Sequence, residues 1–130
     1  MLSTNPVQQI RQVLEKQTGL EFSVLIGSRV NGKAHAQSDW DIALRWRKQI
    51  PGIEILKRSE LLRQSLAKTL ETTDDRIDLV DLAQARLAMR ALVAEEGKEL
   101  VIQDELAWIR FLNHTWFELE DHYWREQQAV

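Results

Sequence analysis

Gly27-Ser28, a spacer of ten residues and then Asp39-Trp40-Asp41 bring together residue types suited to handling phosphate. Phosphoryl and nucleotidyl transfer need positioning and charge neutralisation more than covalent help from the protein. Mg²⁺ is held by one or two carboxylates together with substrate phosphates and water. Two such ions about 3.5–4 Å apart clamp the attacking and leaving oxygens of an in-line displacement. Side chains at i and i+2 of a strand point the same way, so Asp39 and Asp41 are expected to stand side by side. Both stay ionised at such close quarters only with a cation between them. Gly27 allows close backbone approach, and Ser28 adds a hydroxyl to the free N–H groups of a short helix starting there. A lone pair of aspartates would carry little weight. The joint spacing makes the pattern specific.

A third carboxylate is expected, because a nucleophile must lose its proton and a second ion needs a ligand. Asp78 is the best candidate, in the segment Arg76-Ile77-Asp78-Leu79-Val80-Asp81. It projects off one face of a strand, and three carboxylates converge if that strand lies beside the one carrying Asp39 and Asp41. Asp81 reads as a turn or cap at the strand's end, and Asp74 and Asp75 as the turn before it.

The elements that must position these groups follow from periodicity. Residues 21–26 read as a buried strand running into Gly27-Ser28. In the next strand Trp40, Ile42, Leu44 and Trp46 alternate with Asp39, Asp41, Ala43 and Arg45. One face is apolar and packs inward; the other is acidic and stands over a cleft. Asn5 caps a first helix opened by Pro6 and ended by Gly19, with Val7, Ile10, Val13 and Leu14 inward. Pro51-Gly52 marks a turn, followed by a long helix to about Leu70 with Ile55, Leu62, Leu66 and Leu70 on one side. A third helix is expected from Ala83 to Glu96, stopping at Gly97. The order of elements predicts an α/β fold, a mixed sheet flanked by helices, with all of 1–130 as one domain.

The long C-terminal helix, about 104–127, places Trp108, Leu112, Trp116, Leu119 and Tyr123 on one stripe, expected to pack inward. Phe117 and Trp124 lie more than a quarter turn from that stripe. Exposed aromatic patches mark partner surfaces, so these two are the candidates for a protein interface. Trp40 points away from the aspartates and is expected in the core. His35 reads as a loop residue, and His114 with Glu118 as a surface i,i+4 contact rather than a zinc pair.

The formal net charge is −3, from 17 Lys and Arg against 20 Asp and Glu. A nucleic-acid substrate calls for a basic stripe, so a long polynucleotide is disfavoured. Arg45, Arg47 and Lys48 form the one compact basic run, either reaching triphosphate or a partner, or lying in a solvated loop before Pro51. The chain contains no cysteine, which excludes disulfides and Cys-based metal sites. Neither a signal peptide nor an apolar span of membrane length is evident, and a cytoplasmic location is expected.

Gly27, Ser28, Asp39, Asp41 and Asp78 together resemble the signature of minimal nucleotidyltransferases of the DNA polymerase β superfamily. Val30 and Asn31 depart from the small residue and Arg usual after Gly-Ser, whereas Gly32 is retained. The resemblance runs over nearly the whole chain, including a strand-like segment Lys98–Ile102, and implies a polymerase-β-like fold. It is closest to the minimal nucleotidyltransferase antitoxins of HEPN-domain ribonuclease toxins. It implies two Mg²⁺ ions, ATP as substrate and transfer of AMP to a toxin tyrosine with release of pyrophosphate. In that scheme Gly27 and Ser28 hold the β- and γ-phosphates, Asp39 and Asp41 bind both metals, and Asp78 completes the site. Two alternatives stay open: an antitoxin that neutralises by binding alone, and an enzyme acting on a small hydroxylated molecule such as an aminoglycoside.

Overall fold

The computed structural model describes residues 5–129; residues 1–4 and 130 of the expected domain lie outside the described residues. Nine elements of regular helix and strand alternate along it. They are α1 (Pro6–Glu15), β1 (Leu20–Ile26), α2 (Ser28–Asn31), β2 (Trp40–Trp46) and α3 (Gly52–Thr69), then β3 (Ile77–Asp81), α4 (Leu87–Glu96), β4 (Lys98–Ile102) and α5 (Glu105–Gln128). The strands form one mixed sheet in the order β3-β2-β1-β4. β1 runs antiparallel to both β2 and β4, and β2 runs parallel to β3. The expected mixed sheet, flanking helices and long final helix are all present.

Period-2 burial builds the support beneath the site. Trp40, Ile42, Leu44 and Trp46 of β2 face α1 and α3, meeting Ile10, Leu14, Leu62 and Leu66. Phe22, Val24 and Ile26 of β1 face the other way, toward Val93 of α4 and Phe111 of α5. A register shift between Leu20 and Phe22 lets Leu20 join the α1–α3 side instead. An extra residue in one strand turns the following side chains to the opposite face. Phe22, Trp108 and Phe111 form an aromatic cluster with centroids 4.9–5.7 Å apart.

Capping explains the helix starts. Asn5 Oδ1 accepts the Val7 N–H at 2.9 Å with Pro6 in the first turn, and Asp104 Oδ1 accepts the Ala107 N–H at 3.1 Å, satisfying donors that a helix start leaves open. Several boundaries differ from expectation. α1 ends at Glu15, and Gly19 instead turns the chain into β1 with φ 85°. α4 begins at Leu87 rather than Ala83, because Asp81 Oδ1 accepts the Ala83 N–H at 3.0 Å and bends the chain into a turn. That is the turn-and-cap role read for Asp81. The acidic face of β2 is also less open than its alternation suggested: Ala43 is fully buried under the α4–α5 layer.

Gly97 ends α4 as expected, by close packing. A Cβ there would lie 2.3 Å from Val24 Cγ1 and 2.5 Å from the Val93 carbonyl oxygen. Gly97→Ala should therefore force a shift in the sheet and cost roughly 1–3 kcal/mol, the usual toll of overpacking. Urea unfolding monitored by tryptophan fluorescence checks this; an unchanged midpoint would show that the contact relaxes freely.

Candidate active site

Asp41 is the hub. On one side its backbone pairs with Ile26 of β1, just ahead of Gly27; on the other it pairs with Asp78 of β3. The parallel register thus puts Asp41 and Asp78 on neighbouring strands at the same level and on the same face. Gly27 closes the third side. Its backbone, at φ 82° and ψ −156°, would bring a Cβ to 2.5 Å from Asp41 Oδ2. Only glycine satisfies both the conformation and the space.

Ser28 opens α2, a single turn tied back by the Val30 and Asn31 N–H groups, which both reach the Gly27 carbonyl at 3.0 and 3.4 Å. Val30, one of the departures after Gly-Ser, packs against the main core. Asp39 lies one residue ahead of β2, so it is not itself a strand residue, yet its charge is felt at Asp41. Its Oδ1 lies 3.7 Å from Arg76 Nη1. Arg76 also donates to the Gln37 carbonyl and, at 3.1 Å, to Gln37 Oε1. That single side chain fastens the loop before β2 to the start of β3.

Burial pushes the Asp41 carboxyl above its ordinary value; the charge of Asp78, a hydrogen bond shared with it and the charge of Asp39 push the same way. The site gathers negative charge, with Arg76 reaching Asp39 at its edge. Among the described residues, no three His, Cys, Asp or Glu side chains are assembled closely enough to hold a metal ion. The donor chemistry nonetheless fits Mg²⁺: hard carboxylate oxygens, crowded enough that a cation would relieve their repulsion.

The remaining candidates fall outside this centre. His35 is an exposed loop residue whose Nδ1 accepts the Gln37 N–H at 3.1 Å. His114 contacts Glu118 at 2.6 Å along one helix, as expected. Trp40 is in the core on the opposite face, but sequence reading missed its partner: the Arg29 guanidinium sits 4.2 Å over its ring and donates to the Ser38 carbonyl at 2.7 Å. Arg76 was missed as well. Its one available signal was an arginine two residues ahead of Asp78. Arg45 and Lys48 face the far end of the sheet, away from Gly27-Ser28, which removes the triphosphate from their reach.

The α5 stripe needs correction. The buried residues of α5 are Phe111 and Thr115, whereas Trp116 and Tyr123 are exposed. The helix is about 36 Å long and outruns the sheet, so nothing beyond Thr115 is buried. Phe117 and Trp124 are 73% and 62% exposed, pointing outward as expected and not covered by a loop or terminus among the described residues.

The raised Asp41 value carries a pH signature. A group whose folded-state pKa is raised contributes stability fully present below its unfolded value, here 3.8, and loses it as pH rises through the folded value. Ionising Asp41 as pH rises therefore opposes folding in metal-free protein. Asp41→Asn should raise the melting temperature at pH 7 in EDTA, with the gain shrinking as pH falls toward 3.8. Scanning calorimetry across that range checks it; a lower melting point for the variant at pH 7 would contradict the charge crowding.

Comparison with known proteins agrees with this geometry. The family model for polymerase beta nucleotidyltransferases matches residues 8–106. The protein adenylyltransferase MntA of Aphanizomenon flos-aquae is 29% identical over 92 residues, covering 68% of this chain and 61% of that protein. A solved toxin–antitoxin structure with AMP-PNP superposes with a TM-score of 0.69 at 28% identity, over 95% of this chain and 93% of that one. A tri-AMPylated Shewanella oneidensis HEPN toxin in complex with its MNT antitoxin matches with a TM-score of 0.63 at 25% identity, over 95% and 91%. With its Gly-Ser turn and its aspartates gathered at one end of such a sheet, the chain belongs to the polymerase beta nucleotidyltransferase family.

Proposed function

We propose that this chain is a Mg²⁺-dependent protein adenylyltransferase and the antitoxin of a HEPN-domain ribonuclease toxin, moving AMP from ATP to a toxin tyrosine. The observation that carries the reading is the register pair Asp41–Asp78, closed by Gly27 and flanked by Asp39. The likeness to MntA and to toxin–antitoxin structures containing AMP-PNP or an AMPylated toxin supports the acceptor and the nucleotide. Residues 8–106 match the family and the described strands form one sheet, which supports reading 1–130 as one minimal nucleotidyltransferase domain. No helix among the described residues is long and apolar enough to cross a membrane, in keeping with a cytoplasmic enzyme supplied with ATP.

In this reading Asp39, Asp41 and Asp78 would hold the two Mg²⁺ ions, which neutralise triphosphate charge when bound. Gly27 and Ser28 receive the β- and γ-phosphates at the turn. The acceptor oxygen forms its bond to the α-phosphorus while the bond to pyrophosphate breaks in line. Asp78, exposed near the start of β3, would take the tyrosine proton. Holding acceptor and nucleotide in one orientation supplies much of the rate.

Intact-mass spectrometry of the HEPN partner after incubation with this chain, ATP and Mg²⁺ should reveal one or more added AMP masses. Asp39→Asn with Asp41→Asn should abolish the addition while preserving the circular dichroism spectrum. Full neutralisation of the toxin by that variant, with no added mass, would favour an antitoxin that works by binding alone.

The exposed side chains of Phe117 and Trp124, with Trp116 and Tyr123 beside them, form an aromatic band suited to a protein interface. It receives the toxin or a second copy of this chain. Phe117→Ser with Trp124→Ser should weaken toxin binding or reduce the assembled mass in light scattering. If neither quantity moves, the band has another purpose.

A further inference from the structure

Four cations from separate parts of the chain converge at the end of the sheet opposite Asp41. Arg45 near the end of β2, Lys48 in the loop after it, Arg90 of α4 and Arg110 of α5 line one cleft of about 650 Å³. Asp41 and Arg45 stand about 13 Å apart along their strand, and the buried Ala43 closes the sheet between them. The cleft is therefore separate from the centre described above.

Arg45, Lys48 and Arg110 have no hydrogen-bond or ion-pair partner within contact distance among the described residues, although Arg45 and Lys48 feel the charge of Glu21 at longer range. Arg90 is held rigidly, donating to Glu118 at 2.8 Å and to the Ala85 carbonyl at 3.3 Å. Glu21 is the one carboxylate lining the cleft. With Arg90 paired to Glu118, the excess of positive charge comes from Arg45, Lys48 and Arg110 set against Glu21, on a chain whose net charge is −3. A concave site of one sign focuses its field and concentrates ions of the other. Guanidinium groups match phosphate oxygens two at a time.

Shape and lining narrow the ligand. The volume falls in the range of small-molecule sites, and the cations gather in a hollow rather than along the stripe that a long polynucleotide requires. Leu82, Ala107 and Phe111 supply an apolar floor. Glu21 and Gln49 add acceptors suited to ribose hydroxyls or a base amine. Phosphate, sugar and base each find a counterpart.

We propose that this cleft is a second nucleotide-binding site, taking a phosphate-bearing nucleotide group, free or at the end of an RNA chain. Its phosphates lie against Arg45, Lys48, Arg90 and Arg110, and its ribose and base lie against Glu21, Gln49 and the apolar floor. The site goes beyond the transfer reaction and does not rest on it, because protein cations take the place of metal ions here.

The test is calorimetric titration of the intact chain in EDTA with ATP and, separately, with a 5′-phosphorylated hexanucleotide, alongside amide NMR. Without divalent ions AMP transfer is silent, so the outcome is independent of that activity. Saturable binding is expected, with shifts at Ala83, Ala85 and Ala107. Arg45→Ala with Arg110→Ala should weaken it about tenfold or more, the effect of losing two charge-assisted contacts. Lys48→Ala, in an exposed loop, should weaken it in the same direction without touching the core. Tighter binding of ATP assigns the site to free nucleotide, and tighter binding of the oligonucleotide assigns it to RNA ends. Absence of saturable binding, shifts confined to Gly27 and Ser28, or affinity unchanged in both variants would overturn the proposal.

Discussion

Two carboxylates on adjacent strands, Asp41 and Asp78, are crowded onto one face, where burial and the neighbouring acid disfavour the charged form of Asp41, and the rest of the architecture holds them there. The parallel register of β2 and β3 sets them level, and that register is anchored by Trp40, Ile42 and Ile77 in the core beneath. A slip of one residue would send those apolar groups to the wrong face and separate the acids. Burying side chains of this size stabilises by about 1.5–3 kcal/mol each, and the three together exceed the repulsion of about 4 kcal/mol for a close like-charge pair near a protein surface. The fold absorbs the strain of its own site, and a cation can return it as binding energy.

The helices divide that work. α1 and α3 pack on one face and secure the register, while α4 and α5 cover the middle of the other at Ala43. On that second face Asp41 and Arg45, on either side of Ala43, stay only partly covered. At one end Asp39, Asp41 and Asp78 gather negative charge; at the other Arg45, Lys48, Arg90 and Arg110 gather positive charge. Opposite potentials along one small sheet let it handle two kinds of charged group without mutual interference, since exposed charges are screened over about 10 Å at ordinary ionic strength.

Most of the acidic end was legible in the sequence because Gly27, Ser28, Asp39 and Asp41 lie in one short stretch. Strand alternation places Asp41 and Trp40 on opposite faces, and a glycine before a helix start announces a tight approach. Asp78 needed one further step, the adjacency of two strands, and topology bears it out. What escaped depends on contacts between distant segments. Arg29 gains its place from Trp40 and Arg76 from Gln37, pairings that no period encodes. Ala43 reads as part of an acidic face until α4 and α5 are laid over it. The basic cleft joins residues from β2 to α5, and in the sequence only Arg45, Arg47 and Lys48 stand together. Of that run, Arg45 and Lys48 line the cleft, and Arg47 is not among its lining residues.

The α5 stripe misled for a different reason. Helical periodicity identifies which residues share a face, yet it says nothing about how far the covering surface extends. The stripe holds through Trp108 and Leu112, then runs past the sheet, so that Trp116 and Tyr123 emerge into solvent beside Phe117 and Trp124. That outer half is helical through its own surface pairs, Asp121 with Arg125 and His122 with Glu126. Such pairs contribute about 0.2–0.5 kcal/mol each, enough to bias a helix already extended from a packed segment. The exposed aromatics add nothing to that bias, since aromatic side chains are weaker helix formers than Ala or Leu. Among the described residues nothing covers that apolar area, and in the proposed function a partner would take it out of water.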